Sequence, residues 1–294
     1  MDLITRSLLT EFSREQGFER LEESEQFERF AAFLTVSRWV SETLDPDEVA
    51  VGSGSDTGID AIAILVNGSL VDDEASVYEF AERNGFLDVS FLFVQAETSP
   101  SFDAAKIGTF GFGVRDFFSS NPVLPRSSEV SDLARVMRAI YSQSSKFKRS
   151  NPICRLYYVT TGTWVGDRAL EARKNAVIDD LTTLRIFSQV EFTPIDATAI
   201  QRLHRESRNS VSREFDFAQK TVVPTITGVT EAYVGLLPAT EFLRLVEDED
   251  GEILRGIFYD NVRDWQDFNA VNTEMRETLS SGAVSSPVKQ TLQK

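Results

Sequence analysis

The chain has 294 residues, 41% hydrophobic and 11% aromatic with 22 Phe, enough for one large or two small Phe-rich cores. Its net charge of −16 repels a phosphate backbone as a whole field, so any nucleic-acid contact has to be local. One cysteine, Cys154, excludes an internal disulfide and a cysteine-based zinc cluster, and reads as a small buried hydrophobe in a strand.

At the N-terminus, Met1-Asp2-Leu3-Ile4-Thr5-Arg6 lacks a basic region followed by an apolar core, so no signal peptide is read. No run of eighteen apolar residues follows, which predicts no membrane contact and a cytoplasmic location. Residues 1–20 predict a short helix or an ordered arm. Ser24 is a good N-cap for a helix over 24–44, with Phe27, Phe30, Leu34 and Ser37 on one stripe. Asp45-Pro46-Asp47 ends it. A Gly/Ser/Asp loop over 52–58 leads into a strand over 59–66. Asn67-Gly68 then gives a hairpin turn, because both residues tolerate positive φ. Leu70 and Val71 begin the return strand, and 73–84 reads as a helix.

Residues 89–96 are nearly all apolar, which predicts a strand buried on both faces. A helix follows over 101–119, interrupted by Gly108, Gly111 and Gly113. The span 129–146 is a clearer amphipathic helix, with Val130, Leu133, Val136, Met137, Ile140 and Tyr141 on one side. A β-branched and aromatic strand covers 153–160, a helix 167–187 and a strand 190–195. Asp196 then caps a helix to about Arg208. This alternation predicts an α/β fold around a central sheet.

Beyond residue 210 the pattern changes. Strands are expected over 215–226 and 231–237, a helix from Pro238 to Val246, and an acidic turn over 247–251. A last helix lies near 271–279, and the Ser-rich tail 280–294 is expected to be disordered. The domains expected are therefore 1–210, a smaller α+β segment over 211–279, and the tail.

Two stretches carry chemistry. Asp60 enters the strand over 59–66. Gln95 and Glu97 leave the strand over 89–96, and their i, i+2 spacing puts both side chains on one face. If those strands are neighbours, the three side chains converge. Phosphodiester hydrolysis by in-line attack of water builds charge that Mg²⁺ or Mn²⁺ stabilises, and such hard ions want oxygen ligands. Asp60, Gln95, Glu97 and the backbone carbonyl of Ala96 can supply them. The alternative is that Asp60 caps a turn while Gln95 and Glu97 sit at an exposed strand end.

Lys106, one helical stretch later, either swings into this site or contacts phosphate from the surface. Lys146 and Lys148, beside Arg149, are further candidates for nucleic-acid contact. A solvated face is the plainer reading of that cluster and of Arg202, Arg205, Arg208 and Arg213. His204 is expected at a surface or helix end, and without a partner His or Cys it builds no zinc site.

The order helix, Gly-Ser-Asp-Thr-Gly-Ile-Asp strand, hairpin, Gln-Ala-Glu strand, helix, strand resembles the restriction-endonuclease-like PD-(D/E)XK fold, especially its Mrr-like branch. Residues 91–102 (FLFVQAETSPSF) and 257–279 (IFYDNVRDWQDFNAVNTEMRETL) look like the AIPR family, the abortive-infection phage-resistance proteins. The likeness covers about residues 20–279.

The resemblance implies a central mixed sheet flanked by helices, in a bacterial anti-phage defence protein with a metal-dependent DNA endonuclease domain. Mg²⁺ or Mn²⁺ is the implied cofactor, and DNA, or else RNA, the implied substrate. Asp60 then matches the metal-binding Asp, and Gln95 the acidic-or-Gln position. Glu28 matches the glutamate of the first helix, with Glu25 as its rival. Glu97 stands where the family carries lysine, although some restriction enzymes of this fold carry Glu there. The family usually continues past the final helix, so the chain reads as a shortened member or an N-terminal fragment. The departures leave a second reading open, a catalytically inactive nuclease-fold module that binds nucleic acid or protein. A third is a regulator that assembles with a full-length nuclease, and homo-oligomerisation is left open beside it.

Overall fold

The computed structural model describes residues 1–40, 44–51, 58–147, 150–208, 215, 217, 220–222 and 233–247. These belong to one compact unit, Met1–Tyr259. Its elements are α1 (Leu3–Gln16), α2 (Glu23–Val36), β1 (Ala61–Val66), β2 (Ser69–Leu70), α3 (Glu74–Arg83), β3 (Val89–Glu97), α4 (Ala104–Phe117) and α5 (Ser128–Ser142). They continue with β4 (Ile153–Thr160), α6 (Arg168–Thr182), β5 (Gln189–Ile195) and α7 (Ala197–Arg208). A short antiparallel pair, β6 (Lys220–Val222) and β7 (Tyr233–Gly235), and α8 (Ala239–Val246) follow.

Strands β1 to β5 form one mixed sheet in the order β2-β1-β3-β4-β5. Neighbours β2-β1 and β1-β3 are antiparallel, while β3-β4 and β4-β5 are parallel. The protein is therefore an α/β fold with a central mixed sheet flanked by helices. The parallel pairs require crossovers, and α4 with α5, then α6, supply them. The β1–β2 hairpin turns on Asn67 (φ 55°) and Gly68 (φ 87°), which matches the right-handed strand twist. Asn67 is also tied to the chain before β3, its Oδ1 accepting from Asp88 N at 2.8 Å.

Alternation along the strands sorts the core into two layers. Ile62, Ile64, Phe91, Phe93, Leu156 and Tyr158 meet the buried faces of α3, α4, α5 and α6. Ala61, Ala63, Leu92, Val94, Tyr157 and Val159 meet α1, α2 and α7. Phe93 is fully buried, and its ring stands edge-on to Phe117 at 5.3 Å. Each such side chain contributes about 1.5–3 kcal/mol by burial.

The glycines expected to interrupt α4 do not. A Cβ on Gly111 would lie 2.5 Å from Val177 Cγ2, and one on Gly108 would lie 3.3 Å from Arg173 Cδ. The missing side chains let α4 lie directly against α6. Helix α2 departs from expectation at both ends. Glu25 accepts from the Glu22 backbone N–H at 3.2 Å, so capping begins at Glu22 rather than Ser24. The helix stops at Val36, not at 44, because Trp39 turns back over the sheet. Its Nε1 donates to the Tyr157 hydroxyl at 2.9 Å, and the Arg155 guanidinium sits 3.9 Å from its ring centre. Helices expected to reach 146 and 187 end at Ser142 and Thr182, the second before Arg185 turns left-handed at φ 56°.

His204 is buried rather than at the surface, its ring 5.8 Å from that of Phe30 where α7 meets α2. Cys154 is buried in β4 as expected. Among the described residues no helix is long and apolar enough to cross a membrane. Most of the segment expected over 211–279, and all of the tail 280–294, lie outside the described residues.

Candidate functional site

The start of β1 and the end of β3 meet at one end of the sheet. The Asp60 N–H donates to Val94 O at 2.8 Å, beside the pairing of Ala61 with Val94, which brings Asp60 to the end of β3. Gln95 and Glu97 share the alternation of Phe91 and Phe93, so both belong to the face covered by α4 and α6, while Asp60 stands at the bend just before β1. The Asp60 Oδ2 accepts from the Ala96 N–H at 2.6 Å. A residue's N–H and C=O point to the same side of an extended strand, so the Ala96 carbonyl also faces Asp60's side of β3. Gly58, just before, has φ 63°, and a Cβ there would meet Phe110 N at 3.3 Å. The rest of the glycine loop, residues 52–57, lies outside the described residues.

Burial pushes the Asp60 carboxyl up to about 8; the Ala96 N–H opposes this, Glu28 and Glu97 add repulsion, and Lys106 relieves part of it. Glu28, on α2, is half-buried and raised for the same chief reason, with Arg29 opposing and Glu25 and Glu97 adding to the rise. Asp60, Glu97 and Glu28 thus form one electrostatic cluster. Glu25 spends its carboxylate on the helix cap, which leaves Glu28 as the carboxylate that α2 brings near Asp60.

A cation is present after all, and α4 supplies it. Asp103 caps that helix, its Oδ1 accepting from Ala105 N at 2.7 Å. In the first turn, Lys106 Nζ donates to Glu97 Oε2 at 2.7 Å, the lysine side chain 52% exposed and the glutamate 22%. β3 carries no lysine at its end, but an ammonium stands against the same carboxylate.

Tyr158 is a residue that the sequence did not single out. It pairs in register with Gln95 on the neighbouring strand and faces the same layer. Its ring is buried against Phe102 at 5.9 Å and Phe110 at 6.3 Å. Burial raises the phenol pKa, and the carboxylates of Glu97, Asp103 and Asp60 raise it further. The available signal was a tyrosine in an otherwise apolar strand.

The loops leaving β3 and β4 are fastened together at this end of the sheet. Thr161 Oγ1 donates to Thr98 O at 3.0 Å, and the Thr161 N–H to Ser99 O at 3.2 Å. A Cβ on Gly162 would fall 2.2 Å from Pro100 O, so only glycine permits that approach.

Lys146 does not join the site. Its carbonyl accepts from Leu87 N at 2.9 Å, just before β3 begins. At ~3.3 Å per residue, Leu87 is roughly 25 Å from the Gln95 end of the strand. Lys148 lies outside the described residues, as do Arg149, Arg213 and the Arg208 side chain. Arg202 pairs with Glu206 at 3.1 Å on α7.

No family model matches the chain, and no curated protein or solved structure matches it significantly.

The donor set fits a hard divalent cation. Every candidate ligand is oxygen: the carboxylates of Asp60 and Glu97, the Gln95 amide and the Ala96 carbonyl. Among the described residues no three His, Cys, Asp or Glu side chains gather around one point. Mg²⁺ is commonly held by only one or two carboxylates, with waters and substrate phosphate completing the shell.

Proposed function

We propose that this chain is a metal-dependent phosphodiesterase of the nuclease type, an endonuclease domain acting on DNA in cytoplasmic anti-phage defence. The observation that carries the reading is the 2.7 Å pair of Lys106 and Glu97 beside Asp60. It supplies the acid, acid and ammonium that phosphodiester hydrolysis uses, with the ammonium delivered from α4. The element order α2, β1, β2, β3, α4, β4 supports it, being the order the resemblance to the PD-(D/E)XK fold implies.

In this reading Asp60, Gln95, Glu97 and the Ala96 carbonyl hold Mg²⁺ or Mn²⁺, which supplies Lewis-acid stabilisation of phosphate charge. Lys106 moves from Glu97 to the phosphate oxygens or the attacking water, where its ammonium stabilises developing negative charge. Glu28, raised toward protonation, holds or passes a proton at the site's edge. The test is nicking of supercoiled plasmid in Mg²⁺ and in Mn²⁺ by the natural sequence and by Asp60→Ala. Cleavage lost in the variant supports the reading; equal background in both sinks it.

A second reading is favoured by one observation. Glu97 stands in the expected lysine position and holds Lys106 in an ion pair, which suits a nuclease fold kept for binding nucleic acid or a protein partner. Glu97→Lys separates the two. Cleavage only in that variant assigns binding to the natural sequence, and cleavage by the natural sequence excludes this reading.

A further inference from the structure

We infer that Asp103 is a positioning residue of this site, setting the first turn of α4 so that the Lys106 ammonium reaches Glu97 and the phosphodiester beside it. The inference rests on the phosphodiesterase reading and adds to it what places the ammonium.

Lys106 stands nine residues after the carboxylate it meets, on a helix rather than on β3. Its stem is flexible and its side chain half-exposed, so the place of its backbone decides where the ammonium can reach. Asp103 sets that place. Its Oδ1 accepts from the Ala105 N–H at 2.7 Å and from the Lys106 N–H itself at 3.3 Å. The Asp103 carbonyl accepts from the Ile107 N–H at 3.0 Å, the first bond within the helix. Without a capping oxygen the leading N–H groups have no intrahelical partner, and the turn frays. Gly108, Gly111 and Gly113 lower the helix propensity of α4, so its start leans on the cap. Lys106 lies within that first turn. Fraying there would take its Nζ off Glu97 Oε2 while the buried remainder of α4 stayed packed.

Asp103 is itself held from the strand side. The chain leaving Glu97 is fastened to the loop after β4 through Thr98 O, Ser99 O and Pro100. Phe102 follows, its ring edge-on to that of Trp164 at 4.8 Å. Both ends of the span from Glu97 to Lys106 are therefore fixed, one by β3 and one by the cap. An ammonium placed before the substrate arrives costs no reorganisation during the reaction.

Asp103→Ala removes the cap, while Asp103→Asn keeps an oxygen there and removes the charge. Both are made in the natural sequence and in Lys106→Ala. DNA cleavage in Mg²⁺ is measured as kcat and KM. Acylation of the Lys106 amine by an amine-reactive ester is read by mass spectrometry, with Lys174 as internal reference. An ammonium held by a carboxylate stays protonated and acylates slowly. For Asp103→Ala the expected result is a fall in kcat of about tenfold or more, with KM little changed, and a severalfold rise in Lys106 acylation. Asp103→Asn should recover most of both. In Lys106→Ala, adding Asp103→Ala should lower kcat no further, a result that a merely structural role would not give. Unchanged kcat and acylation in Asp103→Ala, an Asn variant as impaired as the Ala variant, or an equal fall in the Lys106→Ala background each overturns the inference and leaves the phosphodiesterase reading standing. A natural sequence that does not cleave, with the expected acylation changes, overturns the phosphodiesterase reading but keeps Asp103 as the residue that places the ammonium. No cleavage together with unchanged acylation overturns both.

Discussion

Lys106 Nζ lies 2.7 Å from Glu97 Oε2, joining the first turn of α4 to the last residue of β3. The negative charge at position 97, which repels Asp60, is partly answered within the site by this ammonium. An ion pair this exposed contributes only about 0–1 kcal/mol to stability. Its placement matters through chemistry. Lys106→Ala is expected to change stability by less than about 1 kcal/mol while lowering metal-dependent cleavage by ~100-fold or more. Denaturant unfolding and single-turnover cleavage on the same samples check this. Unchanged cleavage would place Lys106 outside the chemistry.

Asp60 sets a pH dependence whose sign is fixed. Its carboxyl is near the ordinary ~3.9 in the unfolded chain and about 8 in the fold. Between those values the folded state binds the extra proton, so metal-free stability falls as pH rises from about 4 to 8. Asp60→Asn keeps an acceptor for the Ala96 N–H but cannot ionise. It should gain on the order of 1–3 kcal/mol over the natural sequence at pH 8, and nothing near pH 4. Urea unfolding at both pH values reads the difference. An equal offset at both would mean that Asp60 is not titrating there.

The same linkage predicts a metal effect. Mg²⁺ or Mn²⁺ favours ionised Asp60, so millimolar Mn²⁺ should raise Tm more at pH 8 than at pH 5, and not at all in Asp60→Ala. Thermal melts with and without Mn²⁺ test it. A shift of the same size in the variant would place the binding elsewhere.

Two glycines of α4 should respond to different extents. Gly111→Ala drives a methyl to within 2.5 Å of Val177 and should cost about 1–3 kcal/mol by overpacking. Gly108→Ala meets the flexible Arg173 side chain at 3.3 Å, and higher helix propensity should offset the crowding, for a net change within about 1 kcal/mol. Thermal unfolding of both variants decides the matter.

The sheet was legible in the sequence because its strands are strongly apolar and its one tight hairpin is an Asn-Gly. The nearness of Asp60 to the end of β3 was legible once β1 and β3 were taken as neighbours. Tyr158 was not legible, because its place beside Gln95 depends on a crossover through α4 and α5. Trp39 ends α2 by reaching Tyr157, 118 residues away, which no local signal encodes. The distance of Lys146 from the site was not legible, because it depends on strand direction. β3 and β4 are parallel, so a residue preceding β4 lies at the end opposite the site. Lys106 was read in two ways, and the entry of α4 after Asp103, which brings it onto Glu97, is a tertiary feature.

The most direct measurement is anomalous diffraction from crystals grown with Mn²⁺. The account predicts one peak within coordination distance of Asp60 and Glu97, near Gln95 and the Ala96 carbonyl, with Lys106 moved off Glu97. No peak at Asp60, with Lys106 still bridging Glu97 at saturating Mn²⁺, would contradict it.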